Sequence, residues 1–295
     1  MQTAAVPAPK KSTNVRFFLL ALQATFRTLG ATSPALTARL ATRLWATPPR
    51  APLRPAQRAA LDAAERFEVA AGDARVAAWA WGEGPQVLLV HGWGGHAGQL
   101  TPLAERLAAS GLRAIAVDLP GHGATTGGEA NLLRFAEAIA AVDRQVGGFD
   151  AVAAHSMGAP AVAWAMTVHL FRPRRAVFLA PAASMLEASR RFAAQLAISE
   201  PVRARMQRRF EERLGIGFDR FDLPAAAPAL AAKLLVIHDE ADREVPVEEG
   251  AAIAAAWQGA ELVRTAGLGH HRLLRDETVL DRAAAFLAAD WRMGR

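Results

Sequence analysis

The stretch Ala151 to Pro160, A-V-A-A-H-S-M-G-A-P, holds the residue with the plainest chemical potential. An apolar run of strand character delivers Ser156 with Ala154 two residues before it and Gly158 two after. A sharp strand-to-helix turn needs small residues at those flanks, because larger side chains would crowd the opposing backbone. A serine on such a turn points outward, and at the head of a helix unpaired backbone N–H groups can meet a developing negative charge. The same residues would also suit an N-cap serine on an ordinary βα unit. A serine hydroxyl needs an adjacent base to become a nucleophile, and the late histidines, His270 and His271, are the candidates. A carboxylate must in turn hold the imidazole's tautomer, and Asp239, Glu240, Asp242 and Glu244 stand together in one earlier loop.

Placing these groups together requires a scaffold, and the hydrophobic pattern supplies one. Short apolar runs read as strands at Phe67–Ala71, Val76–Trp81, Gln86–His91, Arg113–Asp118, the serine strand, Arg175–Ala180, Lys233–His238 and Glu261–Thr265. Helical runs lie between them at Leu100–Ser110, Leu132–Val146, Val162–Leu170, Glu248–Trp257 and Glu277–Ala289. Strands apolar on both sides and separated by helices predict a mostly parallel sheet covered on both faces. Chemistry is then expected at the carboxyl ends of the strands. Titratable and glycine residues collect there: His91-Gly92-Trp93-Gly94-Gly95, Asp118-Leu119-Pro120-Gly121-His122-Gly123, His155-Ser156-Met157-Gly158, His238 to Asp242, and Gly267-Leu268-Gly269-His270-His271.

With 295 residues, 52% of them hydrophobic, the chain can bury a large core. It has no cysteine, which excludes disulfides, iron–sulfur ligation and thiol catalysis. The net charge of +6 is a mild arginine excess without a clustered nucleic-acid reading module, so no nucleic-acid partner is expected. A metal site is not expected either, since H-E-x-x-H is absent, nor a nucleotide site, since G-x-G-x-x-G and a P-loop lysine are absent.

The quoted motifs together resemble the α/β-hydrolase superfamily, its serine esterase and lipase branch with a small cap, over roughly residues 65–292. The resemblance rests on H-G-W-G-G, D-L-P-G-H-G, the serine turn, D-x-x-V-P at Asp242 to Pro246, and G-L-G-H, in the order Ser, acid, His. Ala154 departs from the usual glycine, adding one methyl group at a crowded point. The resemblance implies an eight-stranded, mostly parallel sheet with helices on both faces. It further implies Ser156 as nucleophile, His270 as base, Asp242 as acid with Asp239 as rival, and backbone N–H groups of Trp93 and Met157 as an oxyanion hole. The implied reaction is cleavage of a small-molecule carboxylic ester through an acyl-serine, without cofactor. Acyl transfer, thioester, amide or carbon–carbon hydrolysis and a non-catalytic binding role share the same core. Asp118 is expected to brace the turn containing His122, and His91 to belong to the framework of its loop. His155 reads either as a pocket residue or as a packed strand-end histidine.

Two regions fall outside the repeating pattern. Residues 1–60 read as a disordered tail to about residue 13, amphipathic helices broken around Gly30 to Pro34, and a stiff connection carrying Pro48, Pro49, Pro52 and Pro55. The apolar block within Val15 to Phe26 is too short to span a bilayer, and Gln23 and Arg27 argue against a signal peptide. Packing across the main domain, homodimerisation, or contact with a membrane surface through residues 15–46 are the readings of this extension, with a cytoplasmic location. The remainder, 61–295, forms the hydrolase domain, interrupted at about 182–230 by a helical cap. Within that insertion two helices break near Glu200-Pro201, and their arginines read chiefly as a solvated face.

Overall fold

The computed structural model describes residues 13–168 and 171–292. The expected disorder of the tail falls outside these residues, except for Thr13, which opens a helix. Strands β1 (Glu65–Ala71), β2 (Ala74–Trp81), β3 (Gln86–Val90), β4 (Arg113–Val117), β5 (Ala151–His155), β6 (Arg175–Leu179), β7 (Lys233–Asp239) and β8 (Glu261–Thr265) build one sheet. Its order is β1-β2-β4-β3-β5-β6-β7-β8. The β1–β2 and β2–β4 pairings are antiparallel, and every pairing from β4 through β3 to β8 is parallel.

Among the described residues the α-helices are α1 (Thr13–Thr32), α2 (Pro34–Trp45), α3 (Pro55–Asp62), α4 (Thr101–Ala109), α5 (Leu132–Val146), α6 (Gly158–Val168), α7 (Met185–Leu196), α8 (Glu200–Leu214), α9 (Leu223–Ala226), α10 (Val247–Ala256), α11 (Gly269–Arg272) and α12 (Glu277–Arg292). The chain divides into two compact units, residues 1–45 with 186–216, and residues 46–185 with 217–295.

In the α/β unit, alternate strand residues point to opposite faces of the sheet. Val87 and Leu89 of β3, Ala151 and Ala153 of β5, and Leu235 and Ile237 of β7 join a core with Leu103 and Leu107 of α4 and Leu280 and Leu287 of α12. Burying such a leucine contributes about 2 kcal/mol, so this layer holds the sheet flat against its helices. Helices start and stop where local chemistry dictates. Asn131 accepts the Arg134 amide at 3.0 Å to cap α5, and Gly147, with φ 86°, closes it. The proline-rich connection contains α3, not foreseen in the sequence, because Pro55 occupies the first helical turn, where no N–H is needed.

In the helical unit, α1, α2, α7 and α8 enclose a separate core of Phe26, Ala38, Ala41, Ala193, Leu196, Ile198, Val202 and Met206. Trp45 of α2 meets Phe192 of α7 edge-on at 5.1 Å, and Gln23 of α1 donates to the Gln195 carbonyl at 2.8 Å. Extension and insertion, about 150 residues apart, thus form one body. Arg203 is buried, and it donates to both Glu200 carboxylate oxygens at 2.7 Å and to Ser189 Oγ at 2.9 Å. Arg205, Arg208, Arg209 and Arg213 are exposed, in line with a solvated face.

Candidate active site

β5 ends at His155, and α6 begins at Gly158, three residues later. Ser156 between them has φ 52°, a left-handed conformation that a non-glycine residue adopts only under constraint from its surroundings. The constraint is visible: the Ser156 amide donates to Leu179 O of β6 at 2.9 Å, and its carbonyl accepts the Ala159 amide at 3.1 Å. The glycine flank is explained by close approach. A Cβ on Gly158 would lie 2.7 Å from His91 O and 2.9 Å from Val90 O, so the helix start abuts β3. A Cβ on Gly92 would lie 2.8 Å from Ser156 Cβ, which places the glycine-rich loop directly against the serine. Ala154 is fully buried within the sheet.

Of the two late histidines, His270 is the buried one. Its Nδ1 lies 2.7 Å from Asp242 Oδ2, so Nδ1–H donates to the carboxylate and Nε2 is left as the basic nitrogen. The Asp242 side chain is wholly buried, and burial alone would raise its pKa. The His238 nitrogen 3.4 Å away and hydrogen bonds from His270 and the Val245 amide outweigh that and hold it well below the usual carboxylate range. Asp239 does not meet His270's ring. Its oxygens accept the Ala241, Leu268 and Gly269 amides and the Thr265 hydroxyl, all at 2.8–2.9 Å, so it staples the histidine loop to the end of β7. Against its burial, those donors lower its pKa.

His271 is largely exposed and pairs with Glu244 at 3.0 Å, a hydrogen bond that raises the imidazole's pKa and lowers the carboxyl's.

His155 is buried, and its Nε2–H donates to the His270 carbonyl at 3.0 Å, with ring centroids 4.7 Å apart. It is therefore a packed strand-end histidine that ties the backbone of His270 to the residue before Ser156. Burial holds its pKa well below 6.5. Ser156 Oγ makes no hydrogen bond of its own among the described residues.

The glycine-rich loop is fixed by two more neutral imidazoles. His91 donates from Nδ1 to Gly92 O at 2.7 Å and accepts the Leu119 amide on Nε2 at 3.0 Å. His122 accepts the Gly94 amide on Nε2 at 2.9 Å and donates from Nδ1 to Pro120 O at 3.1 Å. Burial pushes their pKa values down to about 4 and about 3. Asp118 accepts the Ala97 amide at 2.6 Å and the Ala124 amide at 2.7 Å, bracing the turn that presents His122. Gly123 is needed there, since a Cβ would fall 1.8 Å from Asp118 Oδ2.

His238 had no assigned role in the sequence. It is fully buried, its Nε2–H donates to Val245 O at 3.0 Å, and the same nitrogen lies 3.4 Å from Asp242 Oδ2. A Cβ on Gly250 would sit 2.4 Å from its Nδ1, so the ring packs directly against α10. Its position four residues before Asp242, at the end of an apolar strand, was the only available signal. Among the described residues no group of three or more His, Asp or Glu side chains is placed to hold a metal ion.

The profile of the alpha/beta hydrolase family matches residues 87–283, and the chain belongs to that family. No curated protein matches it in sequence. Among solved structures, a bacterial membrane phospholipase A is 18% identical with a TM-score of 0.62, the match covering 96% of this chain and 99% of that one. A serine hydrolase involved in carbazole degradation is 19% identical with a TM-score of 0.60, covering 77% and 100%. A thermophilic esterase from Thermogutta terrifontis is 20% identical with a TM-score of 0.59, covering 78% and 99%. Similarity at this level shows the shared fold.

Proposed function

We propose that the protein is a serine hydrolase that cleaves a small-molecule carboxylic ester through an acyl-serine. The observation that carries this reading is the left-handed Ser156 at the β5–α6 turn, on the same sheet edge as the His270–Asp242 pair. In the proposed reaction His270 Nε2 takes the Ser156 Oγ proton as the oxygen adds to the acyl carbon. The oxyanion is met by the backbone N–H groups of Met157 and Trp93, each such donor being worth about 3 kcal/mol. Collapse breaks the bond to the alkoxy oxygen, which leaves with the proton from His270. Water then gives a proton to the same nitrogen, its oxygen adds to the acyl carbon, and Ser156 Oγ departs, regaining a proton. Asp242 holds Nδ1–H throughout and stabilises the imidazolium.

The Met157 amide supports its assignment by entering no hydrogen bond among the loops and turns of the described residues. The ester, phospholipase and serine-hydrolase names of the structural neighbours favour acyl chemistry over a binding role. The location proposed is cytoplasmic, with residues 15–46 as a contact surface. A fluorophosphonate probe tests the reading. The folded protein should be labelled, and Ser156→Ala should abolish labelling; an unlabelled wild type of intact fold would overturn it.

A further inference from the structure

The positive excess of this chain resides entirely in its helical unit. Residues 1–45 and 186–216 carry 13 Lys and Arg against 4 Glu, whereas the α/β unit carries 21 basic against 24 acidic side chains. The first carboxylate side chain in the sequence is Asp62, after nine basic ones.

The helices of that region also leave large apolar groups in water. On α2, Thr37, Ala38, Ala41 and Thr42 face inward. Leu36, Leu40 and Leu44, one turn apart in succession, are 45%, 43% and 38% exposed, and the exposed Arg39 and Arg43 occupy the adjoining stripe. On α1, Phe26 turns into the core with Leu19 and Leu22, and Phe17, Phe18 and Leu20 remain 68%, 70% and 53% exposed. Single exposed hydrophobic residues are ordinary, but six of them on two consecutive helices call for a covering partner. Neither helix crosses a bilayer, because no helix among the described residues is long and apolar enough.

We propose that the outward faces of α1 and α2 dock on an anionic lipid surface. Phe17, Phe18, Leu20, Leu36, Leu40 and Leu44 enter the headgroup boundary, and Arg27 and Arg39 meet lipid phosphates. An amphipathic helix with arginines beside an aromatic and leucine stripe lies in the plane of the interface, held jointly by apolar burial and by attraction to negative headgroups. Charge decides against a second copy of this chain as the occupant, since pairing through these faces would oppose two surfaces of the same sign, with no carboxylate on either helix to offset them.

The test is co-flotation of the full chain with vesicles of phosphatidylcholine alone, or mixed about 3:1 with phosphatidylserine. Binding to the anionic vesicles is expected, with at least tenfold weaker partitioning on phosphatidylcholine alone. Salt at about 0.5 M, which shortens the screening length to about 4 Å, should have a similar effect. Phe17→Ser with Phe18→Ser and Leu40→Ser should lower partitioning at least tenfold on either vesicle. Arg27→Gln with Arg39→Gln should lower it about 5-fold per arginine on the anionic one only. These side chains are exposed, so circular dichroism and the melting temperature should not change. Failure of the folded wild type to bind anionic vesicles at low salt would overturn the proposal. So would binding indifferent to headgroup charge or to the substitutions, or a dimer in sedimentation that the apolar substitutions dissociate without any vesicle binding. None of these readouts depends on ester hydrolysis.

Discussion

The two units satisfy their buried polar groups in opposite ways. In the helical unit most do so within one turn of helix: Thr37 Oγ1 donates to Ser33 O at 2.9 Å, Thr42 Oγ1 to Ala38 O at 2.7 Å, and Ser189 Oγ to Leu186 O at 2.7 Å. Arg203 reaches only as far as Ser189 of the neighbouring helix, 14 residues away. In the α/β unit the same buried groups also reach partners distant in sequence: His91 and Leu119 lie 28 residues apart, Asp242 and His270 also 28, and His155 and His270 lie 115 apart. A polar group tied to its own helix turn adds little positional information. One tied across the sheet fixes where a loop can be, and reactive geometry needs the second kind.

The largest effects should therefore come from breaking distant bonds at the candidate site, and two neighbouring aspartates should fail differently. Asp242→Asn is expected to lower kcat about 10⁴-fold, equivalent to about 5.5 kcal/mol of barrier, by favouring the wrong His270 tautomer. Its melting temperature should move much less than that of Asp239→Asn. There the amide must replace an acceptor serving four donors, and the loss should be about 2–4 kcal/mol of stability. His238 acts through Asp242 as a positioning residue. His238→Leu should cost about tenfold in kcat at unchanged KM, and His238→Gln, which keeps an N–H donor, should restore most of it. Ester kinetics and thermal melts of the four variants check this pattern, and equal behaviour of the two aspartate variants would break the distinction drawn between them.

The same distinction explains what the sequence disclosed. All eight strands were legible, because an apolar run between turn residues marks a buried strand without knowledge of its neighbours. That Ser156, His270 and Asp242 lie at one edge of the sheet was legible because each follows a strand, and strand ends of a parallel sheet converge by topology. The partners of His155, His122 and His238 were not, since each is a backbone carbonyl or amide brought near by folding. Helix α6 starts at Gly158, directly behind the serine as the strand-to-helix turn implied, so the glycine serves as turn residue and helix start at once. The joining of α1 and α2 to α7 and α8 was illegible for a related reason. Periodicity shows that a helix has an apolar face, not which distant helix covers it.

Acid should expose the contrast next. Every histidine among the described residues belongs to the α/β unit, and His91, His122 and His155 are held neutral by burial. Above pH 6.5 they are neutral whether the chain is folded or not, and they confer no pH dependence. As pH falls below 6.5 the unfolded chain takes up protons that the folded one refuses. Stability is then lost at up to about 1.4 kcal/mol per pH unit for each histidine, levelling near pH 4 for His91 and near pH 3 for His122. His271, raised by Glu244, works with the opposite sign, but solvent screening at the surface makes it a minor partner. Denaturant melts between pH 7 and 4 measure the slope, and a flat profile would mean that the buried imidazoles are protonated in the folded state.

The smallest effect is expected where the polar bond is local. The Ala38 carbonyl that receives the Thr42 hydroxyl sits four residues back on α2, where it is also the acceptor for the Thr42 amide in the helix ladder. Thr42→Val removes the hydroxyl and keeps the branched shape, and the carbonyl retains its main-chain donor, so no buried group is left unpaired. The change should stay within about 0.5 kcal/mol, a melting shift of at most about 2 °C. A loss several times larger would mean that this hydroxyl holds the helices to one another, and that the helical unit, like the α/β unit, depends on its polar groups for its tertiary arrangement.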